Sequence, residues 1–399
     1  MSFTRVEKIK NWFRENVKIP LGVTIAICVF PVVLTGLFYA LRSVRPVMDW
    51  TATYISSPLR GFFGLLSSIY PFAVMEILIT VAVIFFIYYI IKSIRDTSRR
   101  REKWKLLGKR LLPVLVVAFY IFSLFCWLWS SGYHATGFAE KHGFSSDGID
   151  RNDLVAVTQM FADKANELAE LVERDENGRY LADRRQMFAD SAHIYRNIAV
   201  DYPNLDGRLY TPKPMLYSWL MSITGYAGMY FALTGESMIN TQPPGVFMPA
   251  TVAHEYAHQL GIFAEDEANF VGILACVTSG NLTFEYAGYM SGLNYLLNAI
   301  MFSDECFEIM NGLSENVMKD RQETFDFWAT RTTANTGIGF LDRFLTSVAE
   351  TANDAVDTIY DGFLKSNNQE LGIRSYGACV DLLVEFFIET ATEHREAAN

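Results

Sequence analysis

TVAHEYAHQLGIFAEDEANF, residues 251–270, sets two histidines four positions apart around a glutamate and follows them with a run of acids. Pro249 lacks the N–H that a helix's first turn leaves unused, and Gly261 tolerates the left-handed turn that ends a helix. The spacing therefore predicts a helix over 249–260. At 3.6 residues per turn, His254 and His258 stack on one face with their Cβ atoms roughly 6 Å apart. Two imidazoles at that separation can share one Zn2+. Glu255 flanks the same face, where it serves as general base toward a water on the metal. Val252, Ala253, Tyr256, Ala257 and Leu260 cover the remaining faces and make the helix a buried one. With six histidines in the chain, a chance HExxH is rare. The competing reading is a buried helix with two hydrogen-bonded histidines and a solvated glutamate.

A catalytic zinc takes three protein ligands and keeps a fourth position open. The metzincin pattern, HExxHxxGxxH, is matched at Gly261 but has Ala264 where its third histidine belongs, and alanine has no donor atom. The run Glu265-Asp266-Glu267-Ala268-Asn269 resembles the gluzincin pattern instead. That resemblance implies Glu265 as third ligand and Asn269 as a hydrogen-bond partner of a ligand histidine. Glu267 is the competing ligand, although acids in a first turn also simply favour the helix dipole. Six residues separate His258 from Glu265, so a tight turn at Gly261-Ile262 must join the two helices. A peptidase also needs an oxyanion donor. Tyr376 and His193 are the candidates, each against a plainer role as a turn-capping tyrosine or a structural histidine.

The rest of the chain falls into two physically different parts. Residues 1–131 carry 17 Lys/Arg against 6 Asp/Glu, and residues 132–399 carry 17 against 38. An acidic rear excludes nucleic acid as a partner, because phosphate contacts need basic surface. In the basic front, 20–41 is free of charge, long enough for the roughly 30 Å hydrocarbon core. Residues 71–91 form a second predicted span with one acid, Glu76, and 111–130 a third, with Trp127, Trp129 and Tyr133 as an interfacial belt. The apolar run of the first is too long for a cleaved signal peptide. The tail 1–19 holds five Lys/Arg, the first loop three and the second loop, 92–110, nine. Positive-inside counting puts the N-terminus and second loop in the cytoplasm and everything after Tyr133 outside. Glu76, one turn from the outer end of its span, is expected to snorkel or meet water rather than act in function. Five scattered cysteines do not make a disulfide framework.

After a polar linker (132–153), helical periodicity dominates 154–399, as where Val157, Phe161, Ala165 and Leu168 share one face. The exception is 226–248, which reads as a short hairpin around Thr234-Gly235 and then a Pro243-Pro244-Gly245 loop. The apolar stretches 215–233 and 271–302 are interrupted by Gly225, Gly228, Asn281, Glu285 and Asn294, which favours buried core helices over further spans. The predicted fold is mostly α: three transmembrane helices (20–41, 71–91, 111–130), then a helical zincin-like extracytoplasmic domain with a small β-hairpin or edge sheet.

Three spans, then TGESMIN (234–240), then HEYAHQLG and EDEANF, then SYG (375–377), resemble a bacterial membrane family known as domain of unknown function 3810, within the gluzincin-like metallopeptidases. The resemblance covers most of the chain and implies zinc and peptidase activity, with no substrate specified. The expectation is a multi-pass protein of the bacterial cytoplasmic membrane that hydrolyses peptide bonds outside the cell, with Zn2+ on His254, His258 and Glu265 and with Glu255 as base. Its partners are a peptide or protein substrate and the lipid bilayer. The alternative is a non-catalytic, zinc-stabilised ectodomain for sensing or assembly.

Overall fold

Three helices are long and apolar enough to cross a membrane: Leu21–Leu41, Val74–Thr97, and a run from Trp104 to His142 that begins with the third span. The computed structural model describes residues 20–98, 103–144, 148–331, 339–366 and 376–398; the basic tail, part of the second loop and Ser375 lie outside the described residues. Pro31 and Pro113 sit inside the first and third spans, where neighbouring helices can satisfy the carbonyls that proline frees. Trp127 donates its Nε1–H to the Leu34 carbonyl at 3.0 Å and Tyr120 its hydroxyl to that of Ile27 at 3.1 Å, which ties the third span to the first.

At its C-terminal end the third span widens into a π-helical segment, Cys126–Ser130. Widening a helix frees carbonyls that must find other donors. The Trp127 carbonyl accepts from the hydroxyls of Ser56 (2.5 Å) and Ser131 (2.7 Å), and the Leu128 carbonyl from Arg60 Nη1 (3.1 Å). Ser56 and Arg60 come from the stretch between the first two spans. It is helical rather than a loop: Arg45–Thr51, a π segment Ala52–Ser56, and Ser57–Ser67.

Glu76 differs from its expected solvated state. It is buried, and its two carboxylate oxygens accept the backbone N–H groups of Leu216 and Tyr217, each at 2.8 Å. An acid within a span is satisfied here by main chain, and it fastens the rear of the protein to the second span.

The three strands form one small sheet in the order β1 (Lys213–Pro214), β3 (Glu236–Ile239), β2 (Gly228–Phe231). β2 and β3 are the antiparallel hairpin, with Met229 opposite Met238 and Gly235 at φ 65° in the turn; β1 adds a parallel partner that periodicity did not signal. Residues 215–233 depart from the expected core helix. Only Ser218–Ile223 is helical, and Leu216, Trp219 and Leu220 are exposed. The chain must turn toward β2 within a few residues, and Gly225, at φ 80°, provides that turn.

Glu236 on β3 joins sheet to membrane helices. It accepts the N–H groups of Val74 (2.8 Å) and Met75 (2.9 Å) at the start of the second span, and pairs with Lys213 at 2.6 Å, all in buried surroundings. Lys213 also donates to the Ser67 carbonyl at 2.6 Å. Glu236→Ala would strand a buried ammonium and two N–H groups, a loss of about 3–5 kcal/mol. We expect a markedly lower unfolding midpoint in detergent, partly restored in Glu236→Ala with Lys213→Met; an unchanged midpoint would show that the pair is not structural.

The main core lies behind the sheet. Helices Arg151–Ala169, Met248–Leu260, Glu265–Val277, Leu282–Ala299 and Tyr376–Ala398 bury Phe161, Tyr256, Phe270 and Phe284 between them. The expected linker is partly built into it: Phe138–His142 is a short helix, and Phe138 packs in the same core. All five cysteines are free.

Candidate metal centre

The histidine helix Met248–Leu260 has Pro249 in its first turn and ends at Gly261 with φ 101°, as its punctuation predicts. That left-handed residue turns the chain so that the Ile262 carbonyl comes back to 2.7 Å from His258 Nδ1. The Nδ1–H is committed to that carbonyl, which leaves Nε2 as the free lone pair. The acid helix Glu265–Val277 crosses close behind: a Cβ on Gly272 would stand 2.9 Å from the His254 backbone nitrogen. Glycine at this crossing lets the two helices approach until Glu265 reaches both rings.

The Nε2 atoms of His254 and His258 lie 3.3 and 3.7 Å from the two oxygens of Glu265. One donor atom from each residue falls within 4.8 Å of the other two, the one such group of three among the described residues. Two nitrogen donors and one carboxylate are the set that borderline cations such as Zn2+ prefer, and tetrahedral zinc needs donors about 3.5 Å apart, a contraction of about 1.3 Å at most from the separations here. Burial opposes charge on Glu265, but the attraction of His258, then close contacts with both histidines, hold its carboxyl well below the usual range. The donors fit zinc.

Glu267, the competing ligand, faces elsewhere. Its carboxylate accepts the N–H groups of Phe138 (2.8 Å) and Ala139 (2.9 Å) and so caps the short helix there. Asn269 lines the cavity beside the cluster without the expected hydrogen bond to a ligand histidine: His258 Nδ1 is bound to the Ile262 carbonyl, and His254 Nδ1 is buried without a partner among the described residues. His193 is exposed and lies outside that cavity; the side chain of Tyr376 lies outside the described residues, its backbone opening the last helix.

Glu255 is 4% exposed, and its Oε2 has no hydrogen-bond partner. Burial pushes its carboxyl up to about 8, against the attraction of His254 and with the repulsion of Glu265 adding. β2 presses against it: a Cβ on Gly228 would stand 2.6 Å from Glu255 Oε1 and 2.8 Å from the Thr251 methyl. Gly228→Ala must therefore swing the Glu255 carboxylate aside. We expect the metal content to hold and the peptidase activity proposed below to fall about tenfold or more; loss of metal along with activity would point to a general collapse instead.

The cluster opens into a cavity of about 1140 Å3. One wall is β2 and the residues around it, from Tyr226 to Leu233. A second is the helix Gly339–Ser366, through Val356, Tyr360 and Leu364 at four-residue intervals, and Tyr360 donates its hydroxyl to Glu265 Oε1 at 2.5 Å. A third is the end of the third span, where Trp129 meets the His258 ring edge to face at 5.4 Å between centroids. Sequence reasoning missed Tyr360 and Gly228. The four-residue stripe 356–360–364 was a readable signal for a buried face, but nothing in it named the site that the face covers.

These features define a class: a helical protein with three membrane-spanning candidates and a His-His-Glu cluster beside a buried carboxyl with one unpartnered oxygen. The model of the family described as protein of unknown function (DUF3810) matches residues 52–384, and the chain belongs to that family. The match takes in the second and third spans, the sheet and the whole cluster. No curated protein and no solved structure matches the chain.

Proposed function

We propose that the protein is a membrane-anchored, zinc-dependent endopeptidase. One observation carries the reading: the unpartnered Oε2 of Glu255 stands beside three converging metal donors in a cavity bordered by an edge strand. A purely structural zinc site closes its fourth position with a ligand and has no use for a buried free carboxylate.

His254, His258 and Glu265 would hold the metal. Zinc, when bound there, supplies Lewis-acid polarisation of a carbonyl and makes water a nucleophile near neutral pH. The chain supplies the rest. β2 is an edge strand in the sheet order, so its free side can take an extended peptide as an added strand and lay a peptide bond across the cluster. Glu255 Oε2 accepts a proton as the water oxygen bonds to the scissile carbon, then returns it to the amide nitrogen as the C–N bond breaks. Tyr360 Oη is placed to turn from Glu265 toward the carbonyl oxygen as that atom gains charge. In this role it takes the place of Tyr376 and His193. By the positive-inside rule the nine Lys/Arg of 92–110 keep that loop in the cytoplasm, which places the site outside the cell, at the bacterial cytoplasmic membrane.

Full-length protein purified in detergent should carry about one zinc per chain and generate new termini in a mixed-peptide library, read by mass spectrometry, with both lost on chelation. Tyr360→Phe should keep the metal and lower turnover by roughly 10²-fold, the scale of one oxyanion donor. Stoichiometric zinc with no new termini would favour the zinc-stabilised, non-catalytic ectodomain.

A further inference from the structure

The helical stretch 45–67 is inside out. Its polar residues Thr51, Ser56, Arg60 and Ser67 are buried, while Trp50, Tyr54, Leu59, Phe62 and Leu66 are exposed, Tyr54 to 67%. A helix facing water would show the reverse pattern, and a lipid-facing one shows this. The segment from Leu216 to Leu220 is its counterpart. Glu76 holds the Leu216 and Tyr217 amides against the second span, and the Tyr217 hydroxyl meets Thr80 Oγ1 at 2.8 Å. Thr80 lies six residues past Val74, roughly 9 Å down the span axis at 1.5 Å per residue. Trp219 and Leu216, neighbours of Tyr217 in sequence, are exposed, Trp219 to 53%. Leu220 and Met221 of the same segment line the cavity, as do Phe125 and Trp129 at the end of the third span. The lining of the metal site thus includes residues continuous with the apolar surface of the spans.

Building on the peptidase reading above, we infer that the cavity takes its peptide at the lipid surface: the substrate is a protein tethered in the same bilayer, cut within a few residues of where its chain leaves the membrane. Two features argue for this occupant over a freely diffusing peptide. The cavity wall and the lipid-facing collar are one surface, through Leu220 and the third span. The cluster is also fixed in height, since His258 packs on Trp129 and the sheet is bonded to the start of the second span.

The first measurement does not depend on activity. Wild type and Trp219→Phe are placed in nanodiscs whose lipids carry bromine near the glycerol end of the acyl chain, and tryptophan quenching is compared. The quenched fraction should drop in Trp219→Phe; equal quenching would put Trp219 in water and overturn the inference. The second uses a segment cleaved in the peptide library, fused to a single transmembrane helix directly or through four EAAAK repeats, about 30 Å of semi-rigid spacer. The direct fusion should be cut at least tenfold faster than the spaced one. Equal rates at both spacings overturn the inference while leaving the peptidase intact. No cleavage of either fusion, while the free segment is still cut, likewise overturns the inference and leaves the peptidase intact; a library that yields no cleaved segment, with zinc bound, overturns the peptidase reading and with it the substrate assignment.

Discussion

Glu255→Gln is expected to leave zinc content, folding and membrane insertion unchanged and to lower peptide hydrolysis by about 10²–10⁴, the usual contribution of a positioned general base. Glutamine fills the same volume and keeps a hydrogen-bonding oxygen, so Gly228 and Thr251 still pack against it. It cannot accept a proton. The amide brings two N–H donors to a buried site whose Oε2 had no partner, a cost that loss of a carboxyl whose charge is opposed by burial and by Glu265 should largely offset, so the fold is expected to hold. The comparison is made on detergent-purified proteins with matched zinc content. If Glu255→Gln cleaves as fast as wild type, the proton must travel by another residue, and the mechanism proposed here is wrong even for a working peptidase.

His258→Ala should abolish stoichiometric zinc. It removes a donor whose Nε2 is kept free by the Nδ1 contact to Ile262, and it also strips Trp129 of its ring contact. Glu265→Ala should weaken binding strongly, since the one anionic donor goes and a neutral pair of imidazoles remains. Glu267→Ala should keep the metal and instead loosen residues 138–142, whose amides it caps. Elemental analysis after dialysis separates the three. Zinc retained in Glu265→Ala but lost in Glu267→Ala would reverse the ligand assignment that the geometry favours.

Much of the site was readable because a helix converts spacing into direction. His254, Glu255 and His258 follow from 3.6 residues per turn, and Glu265 from the acidic run just past a glycine. The membrane helices were readable for a similar reason, since lipid demands long uncharged runs. What escaped has no local signature. Tyr360 reaches Glu265 across 95 residues of chain, and the donor that orients His258 is a main-chain carbonyl, the same atom in every residue. Gly228 looked like an interruption of an apolar stretch, whereas the structure shows a contact surface for Glu255. The exposed run 216–220 was misread as core because apolar character alone does not tell protein interior from lipid; only the tie from Glu76 to its amides makes the distinction.

Trp129 belongs to a membrane helix and yet walls the metal site, and this leaves the protein without a place to be severed. A fragment begun at residue 132 would keep every ligand and lose the indole that seats His258. It would also take from Glu236 the two amides that it binds, leaving that carboxylate its ion pair with Lys213 and removing the sheet's tie to the second span. Such a fragment should be soluble only as a mixture of loosened states, with weak zinc affinity. By the same token, an amphiphile that lets the third helix tilt acts directly on the geometry around His258, so the choice of solubilising agent becomes a variable of the chemistry itself.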